Sequence, residues 1–123
     1  MTERKIDKTH TLYAIFLLLH EDKTIQIGAL GSFHFPRGKY VYIGSAKKNI
    51  EARVNRHDKM DKPKRWHLDY FRPYCEITAI HTYHFPKGEC ALAASFLENG
   101  TRFPPQFGSS DCRCGGHLIK IND

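Results

Sequence analysis

Apolar and polar positions follow two rhythms along this chain, one of strands up to Gly44 and one of helices from Asn49 onward. Leu12-Tyr-Ala-Ile-Phe-Leu-Leu-Leu19 is a continuous apolar run followed by Glu21-Asp-Lys23, which predicts a strand and a turn. Ile25 to Leu30 alternates apolar with small or polar residues, as the return strand of a hairpin would. Gly31-Ser32 and Pro36-Arg-Gly38 mark a connection, and Lys39-Tyr-Val-Tyr-Ile43 supplies a third strand ending at Gly44, so three antiparallel strands should open the domain. Asn49 is placed to cap a helix whose apolar positions Ile50 and Val54 lie four apart, and which should run to about His57. Asp58 to Arg65 is charged and broken by Pro63, which predicts a loop before a short helix over Trp66 to Phe71, stopped near Pro73. Ile77 to Tyr83 offers a fourth strand. Gly88 to Glu98 has the strongest helix propensity and is apolar almost all round, so it should be well buried, and Asn99-Gly100 should end it. Leu118 to Ile121 closes the series as a strand.

These elements imply an α+β fold, an antiparallel sheet of three or more strands packed with helices. A length of 123 residues with 41% hydrophobic positions suits one domain, residues 11–123, after a polar extension over 1–10. The longest apolar run, Leu12–Leu19, falls well short of the ~20 residues needed to cross a bilayer. With no charged-then-apolar leader at the start, the cytoplasm is the expected location and a membrane is not an expected partner.

Charge sharpens the picture because it is local. Between Arg37 and Arg72 stand eleven Lys or Arg against four Asp or Glu, so this third of the chain carries about +7 and the rest about −1 of a formal +6. A concentrated positive field among Tyr40, Tyr42, Trp66, Tyr70 and Phe71 suits either a phosphate backbone, bound with counterion release, or a solvated basic helix. Lys47, Lys48, Arg56, Lys64, Arg65 and Trp66 are the candidate nucleic-acid contacts; Trp66 reads either as core or as a base-stacking platform.

The third strand delivers Tyr42-Ile-Gly44 into a turn and then the basic helix, where Arg53 and His57, four apart, share one face. Cleaving a phosphodiester needs a base for water, a cation for phosphorane charge and a metal or acid for the leaving oxygen, and this corner holds several of these groups. Taken singly, each also has a plain reading: a strand tyrosine packs, and a helix arginine faces water.

Lys39-Tyr-Val-Tyr-Ile-Gly-Ser-Ala46 followed by Ile50-Glu-Ala-Arg-Val-Asn-Arg-His57 resembles the second signature and catalytic helix of the GIY-YIG endonucleases. Thr11-Leu-Tyr13 sits where that family has its first signature. Trp66-His-Leu-Asp-Tyr70, Gly88-Glu-Cys90 and Ser110-Asp-Cys-Arg-Cys114 with His117-Leu118 are similar to its compact Uri-type subgroup, and the resemblance runs from about Thr11 to Ile119. It implies a small GIY-YIG-like nuclease domain over 11–123 and a phosphodiester hydrolase acting on DNA. By position, Tyr13 and Tyr42 match the signature tyrosines, Arg53 the phosphate-binding arginine, His57 the group near the nucleophile, and Glu89 the single ligand of a hydrated Mg²⁺ or Mn²⁺. Without the resemblance, Glu89 is equally a first-turn carboxylate stabilised by the helix dipole. The sequence departs from the pattern at Thr11, in place of glycine, and at Ser45, in place of a lysine found in some members; Asn99 stands near the place of a late asparagine.

The four cysteines, with no secretion signal, read as free thiols or a metal site. Cys112, Cys114 and His117 offer structural Zn²⁺ three ligands, with Cys90 or Cys75 as a fourth. Against zinc stand the Cys-x-Cys spacing, which is not the usual knuckle, and the tendency of buried cysteines to act as small apolar packers. The alternatives to an enzyme are a nucleic-acid-binding module that does not cut and a zinc-stabilised interaction domain.

Overall fold

The computed structural model describes residues 3–60, 62–64, 66–105, 107 and 116–122. Its strands follow the chain as Glu3–Lys5 (β1), Leu12–Leu19 (β2), Lys23–Ile27 (β3), Gly31–Phe35 (β4), Gly38–Ser45 (β5), Cys75–Tyr83 (β6), Gly100–Arg102 (β7) and Leu118–Ile121 (β8), with helices Ile50–Asp58 (α1), His67–Phe71 (α2) and Glu89–Ser95 (α3). The architecture is α+β. A six-stranded sheet runs in the order β1-β6-β2-β5-β8-β7, and β3 and β4 form a separate two-stranded sheet.

The all-apolar β2 takes a central place, antiparallel to both β5 and β6, because a strand covered on both faces has no use for a polar side. Its residues alternate between two cores. Tyr13, Ile15, Leu17 and Leu19 join Ile50 and Val54 of α1, Leu68 and Phe71 of α2, and Ile25 and Phe35 of the hairpin on one face. Leu12 and Ala14 join Leu92 and Ala93 of α3 on the other. Asn49 caps α1 in a left-handed conformation (φ 51°) and accepts the Ala52 amide at 3.2 Å, which starts the helix directly after β5 and presses Ile50 and Val54 onto the sheet.

Three expectations need correction. β2 makes no hairpin with the Ile25–Leu30 segment: β3 pairs with β4, Gly28–Leu30 is a 3₁₀ turn, and β2 meets β5 directly. The signal lay in Phe33 and Phe35, which alternate with Ser32 and His34 where Gly31 suggested only a connection. The polar first ten residues contribute β1, which runs parallel to β6 at the sheet edge and makes the sheet mixed. α3 is shorter and less covered than its composition predicts; it stops at Ser95 with only Leu92 and Ala93 buried. Alanine favours a helix whether or not it is covered, so propensity overstated burial there. A 3₁₀ turn over Leu97–Asn99 then leads into β7. Among the described residues no helix is long and apolar enough to cross a membrane.

Candidate functional site

Tyr13 stands directly across from Gly44 in the β2–β5 ladder. Its phenol lies so close over the glycine that a Cβ at residue 44 would be 2.3 Å from the hydroxyl oxygen and 2.4 Å from Cζ, so only glycine admits the ring. This placement brings the Tyr13 hydroxyl within 2.8 Å of His57 Nε2 on α1, a buried hydrogen bond between residues 44 positions apart. Tyr42 completes the cluster, its ring 6.4 Å from that of Tyr13 and 5.8 Å from the imidazole, with Phe107 packed edge-on against it at 5.9 Å. One helical turn before His57, Arg53 donates to the Ser45 carbonyl at 3.1 Å and stacks over Trp66, its Cζ 4.8 Å from the ring centroid. Glu89 opens α3 and is half-buried; its negative charge reaches both phenols. The two tyrosines, Arg53, His57 and Glu89 are thus drawn to the Ser45 end of β5 from three separate stretches of chain.

Burial sets the protonation of this corner. Desolvation raises the Tyr13 phenol above the ordinary tyrosine value, against the opposing charge and hydrogen bonding of Arg53. Tyr42 is pushed well above it, by burial first and then by Tyr13 and Glu89. His57 moves the other way: burial, then the positive charge of Lys62, pulls it down to about 3. At neutral pH the site therefore holds two neutral phenols and a neutral imidazole. His57 Nδ1 is buried without a hydrogen-bond partner among the described residues.

The candidate nucleic-acid contacts divide. Lys47 and Lys48 are exposed in the β5–α1 turn, and Lys64 is exposed with its ammonium 6.0 Å from the Tyr70 ring centroid. Arg65 lies outside the described residues. Arg56 is turned inward: its guanidinium forks onto the Asp69 carboxylate at 3.1 and 3.2 Å, donates to the Pro63 carbonyl at 2.8 Å and lies over the Trp66 ring at 4.2 Å. Trp66 is half-buried, its ring 5.1 Å from that of His57. Lys62 is almost wholly buried and donates to the carbonyls of Arg56 and His57. Neither Lys62 nor Asp69 was singled out by sequence as part of one ion cluster. The available signal was Asp69 three positions after Trp66, the spacing at which an acid reaches back to cap a short helix, as its 3.0 Å bond from the Trp66 amide does.

Among the described residues no three His, Cys, Asp or Glu side chains converge as a metal cage. Glu89 offers a single carboxylate, a hard donor suited to a hydrated divalent ion. For zinc, Cys75 is remote in the main core, its thiol pushed up to about 12 by burial, whereas Cys90 Sγ sits 3.6 Å from His117 Nε2; Cys112 and Cys114 lie outside the described residues. Asn99 ends its 3₁₀ turn with its amide 3.5 Å from the Asn122 carbonyl. A groove of about 920 Å³ lined by residues including Phe16, Leu18, Ala79 and Phe96 lies apart from the tyrosine corner and shares none of its five side chains.

A family model described as Domain of unknown function DUF123 matches residues 12–123. No curated protein and no solved structure matches the chain.

Proposed function

The chain belongs to the DUF123 family, and from the geometry of its tyrosine–histidine corner we propose that it is a metal-dependent endonuclease of the GIY-YIG type, hydrolysing phosphodiester bonds in DNA. The observation that carries this proposal is the buried Tyr13–His57 hydrogen bond, with Tyr42, Arg53 and Glu89 gathered around it.

Neutral His57 can take the Tyr13 proton while Tyr13 takes one from the attacking water, so a proton crosses the pair although neither group is charged at rest. The arriving diester supports this transfer. Its negative charge offsets Lys62, Arg53 and Arg56, the cations that join burial in keeping the imidazole neutral, so His57 becomes more basic when substrate is in place. Arg53 has donors to spare beyond the one given to Ser45, and its planar fork suits two phosphate oxygens. Glu89, half-buried at the start of α3, would hold Mg²⁺ or Mn²⁺ through one carboxylate, with waters and substrate oxygens filling the remaining positions. Such an ion, when bound, stabilises charge on the phosphoryl group and the leaving oxygen.

A second reading has its own observation. Tyr13, Tyr42 and His57 are only 2%, 6% and 1% exposed, which favours a nucleic-acid-binding module that keeps the corner as packing and does not cut. Nicking of supercoiled plasmid with Mg²⁺ or Mn²⁺, and its loss with chelator, distinguishes the two. Retained DNA binding with no nicking under any divalent ion would leave the binding module.

A further inference from the structure

The motif Trp66-His-Leu-Asp-Tyr70 has no role in the chemistry above, yet its acid is a carboxylate with no solvent exposure. Two cations and an amide meet it: the Arg56 fork at 3.1 and 3.2 Å, Lys62 Nζ at 3.4 Å and the Trp66 N–H at 3.0 Å. Each partner leads on to a reacting group. Lys62 also donates to the Arg56 and His57 carbonyls at 2.9 and 2.8 Å, in the last turns of α1. Arg56 lies over the Trp66 indole, and the same indole carries the Arg53 guanidinium and faces the His57 ring.

We infer that Asp69 is a positioning residue of the cleavage site: it anchors Trp66 and the end of α1, and through them fixes the Arg53 guanidinium and the His57 ring. An acid serving only to cap α2 would use the Trp66 amide alone. Two cations, Arg56 of α1 itself and Lys62 of the loop after it, which is bonded to the Arg56 and His57 carbonyls, are what an anchor for the helix bearing Arg53 and His57 requires. The consequence for turnover rests on the endonuclease proposal, whereas the positioning itself does not.

Trp66 is the only tryptophan of the chain, so its fluorescence reports on this anchor directly. In the full-length Asp69→Asn variant, Trp66 emission should shift to the red, acrylamide should quench it more strongly, and the Arg53 guanidinium NMR signals, set in the wild type by the Ser45 bond and the indole stack, should change shift while far-UV circular dichroism stays that of the wild type. Plasmid nicking should lose about 10²-fold in kcat with little change in KM, the effect of a small misplacement of reacting groups. Asp69→Glu should recover part of both the emission and kcat. If Asp69→Asn does not fold, Arg56→Lys, which keeps the charge and loses the fork, is read in the same way. Trp66 emission and an Arg53 signal unchanged in a folded variant overturn the inference. These spectra are taken without substrate, so a wild-type chain that fails to nick DNA counts against the endonuclease proposal and leaves the spectra to decide the role of Asp69.

Discussion

Replacing Gly44 by alanine adds one methyl group at the tightest contact of the site. The new carbon would stand 2.3 Å from the Tyr13 oxygen where an ordinary contact is 3.4 Å or more, so the ring must retreat by about 1 Å. Tyr13 is buried and has little room to do so, and the movement breaks its 2.8 Å hydrogen bond to His57. Overpacking of this kind costs ~1–3 kcal/mol, and the lost hydrogen bond adds ~0.5–1.5 kcal/mol. The total of about 2–4 kcal/mol should lower the melting temperature by roughly 6–20 °C in a domain of this size. Turnover should suffer more, by about 10²-fold, because the displaced phenol is the one proposed to meet the attacking water. Thermal melts followed by circular dichroism and plasmid nicking measure the two effects. A background of Tyr13→Leu isolates the contact: with the phenol gone, the added methyl should cost far less, giving a coupling of at least ~1 kcal/mol in the double-mutant cycle. A Gly44→Ala protein that melts and cuts like the wild type, or mutations that simply add, would refute the claim that the Tyr13 ring is held against this glycine.

Arg53→Ala should reduce nicking by ~10²–10³-fold with the fold retained, as for loss of one electrostatic contact to the transition state; unchanged turnover would remove Arg53 from the chemistry. Glu89→Gln should abolish the stimulation by Mg²⁺ or Mn²⁺ and leave the melt nearly in place, and a variant that still cuts in a magnesium-dependent way would show that the ion is held elsewhere. His57 gives a pH prediction. The folded protein protonates it only near 3, the unfolded chain near 6.5, so in that window the unfolded state binds the extra proton and stability rises with pH. The contribution approaches ~1.4 kcal/mol per pH unit, fully present above the unfolded value and lost as pH falls toward 3. Denaturant titrations of His57→Gln should show a flatter dependence than the wild type between about pH 4 and 6; equal slopes would mean that the fold does not hold this imidazole neutral.

Much of the scaffold was legible because local and tertiary demands agree in β2, β5 and α1. The apolar run, the Tyr-Val-Tyr alternation and the Asn49 cap each specify one structure, and tertiary packing uses them as written. Legibility failed where pairing partners are remote. Nothing local says that β3 should turn to β4 rather than to β2, or that Glu3–Lys5 should find β6 far along the chain. The same division holds at the site. Tyr42, Arg53 and His57 stood out by their placement around one turn, Tyr13 and Glu89 by family resemblance alone, and their gathering is a matter of geometry. Arg56 shows the limit of reading charge from composition: a positive residue in a basic stretch looks available to phosphate, but its fork already holds a buried acid thirteen residues on. Gly44 shows another, since its role depends on what lies across the ladder from it.

Both outer strands of the large sheet are only three residues long. β1 is Glu3-Arg4-Lys5, exposed throughout, and β7 is Gly100-Thr101-Arg102. An open edge of backbone donors and acceptors is a template on which a neighbouring chain can grow, and a short, charged edge is a poor one. The segment best suited to cross-β stacking, β2, is enclosed between β5 and β6. The large sheet is thus terminated on both sides by three-residue strands, one of them fully charged, which offer little backbone edge to a second copy and so guard an apolar centre against aggregation.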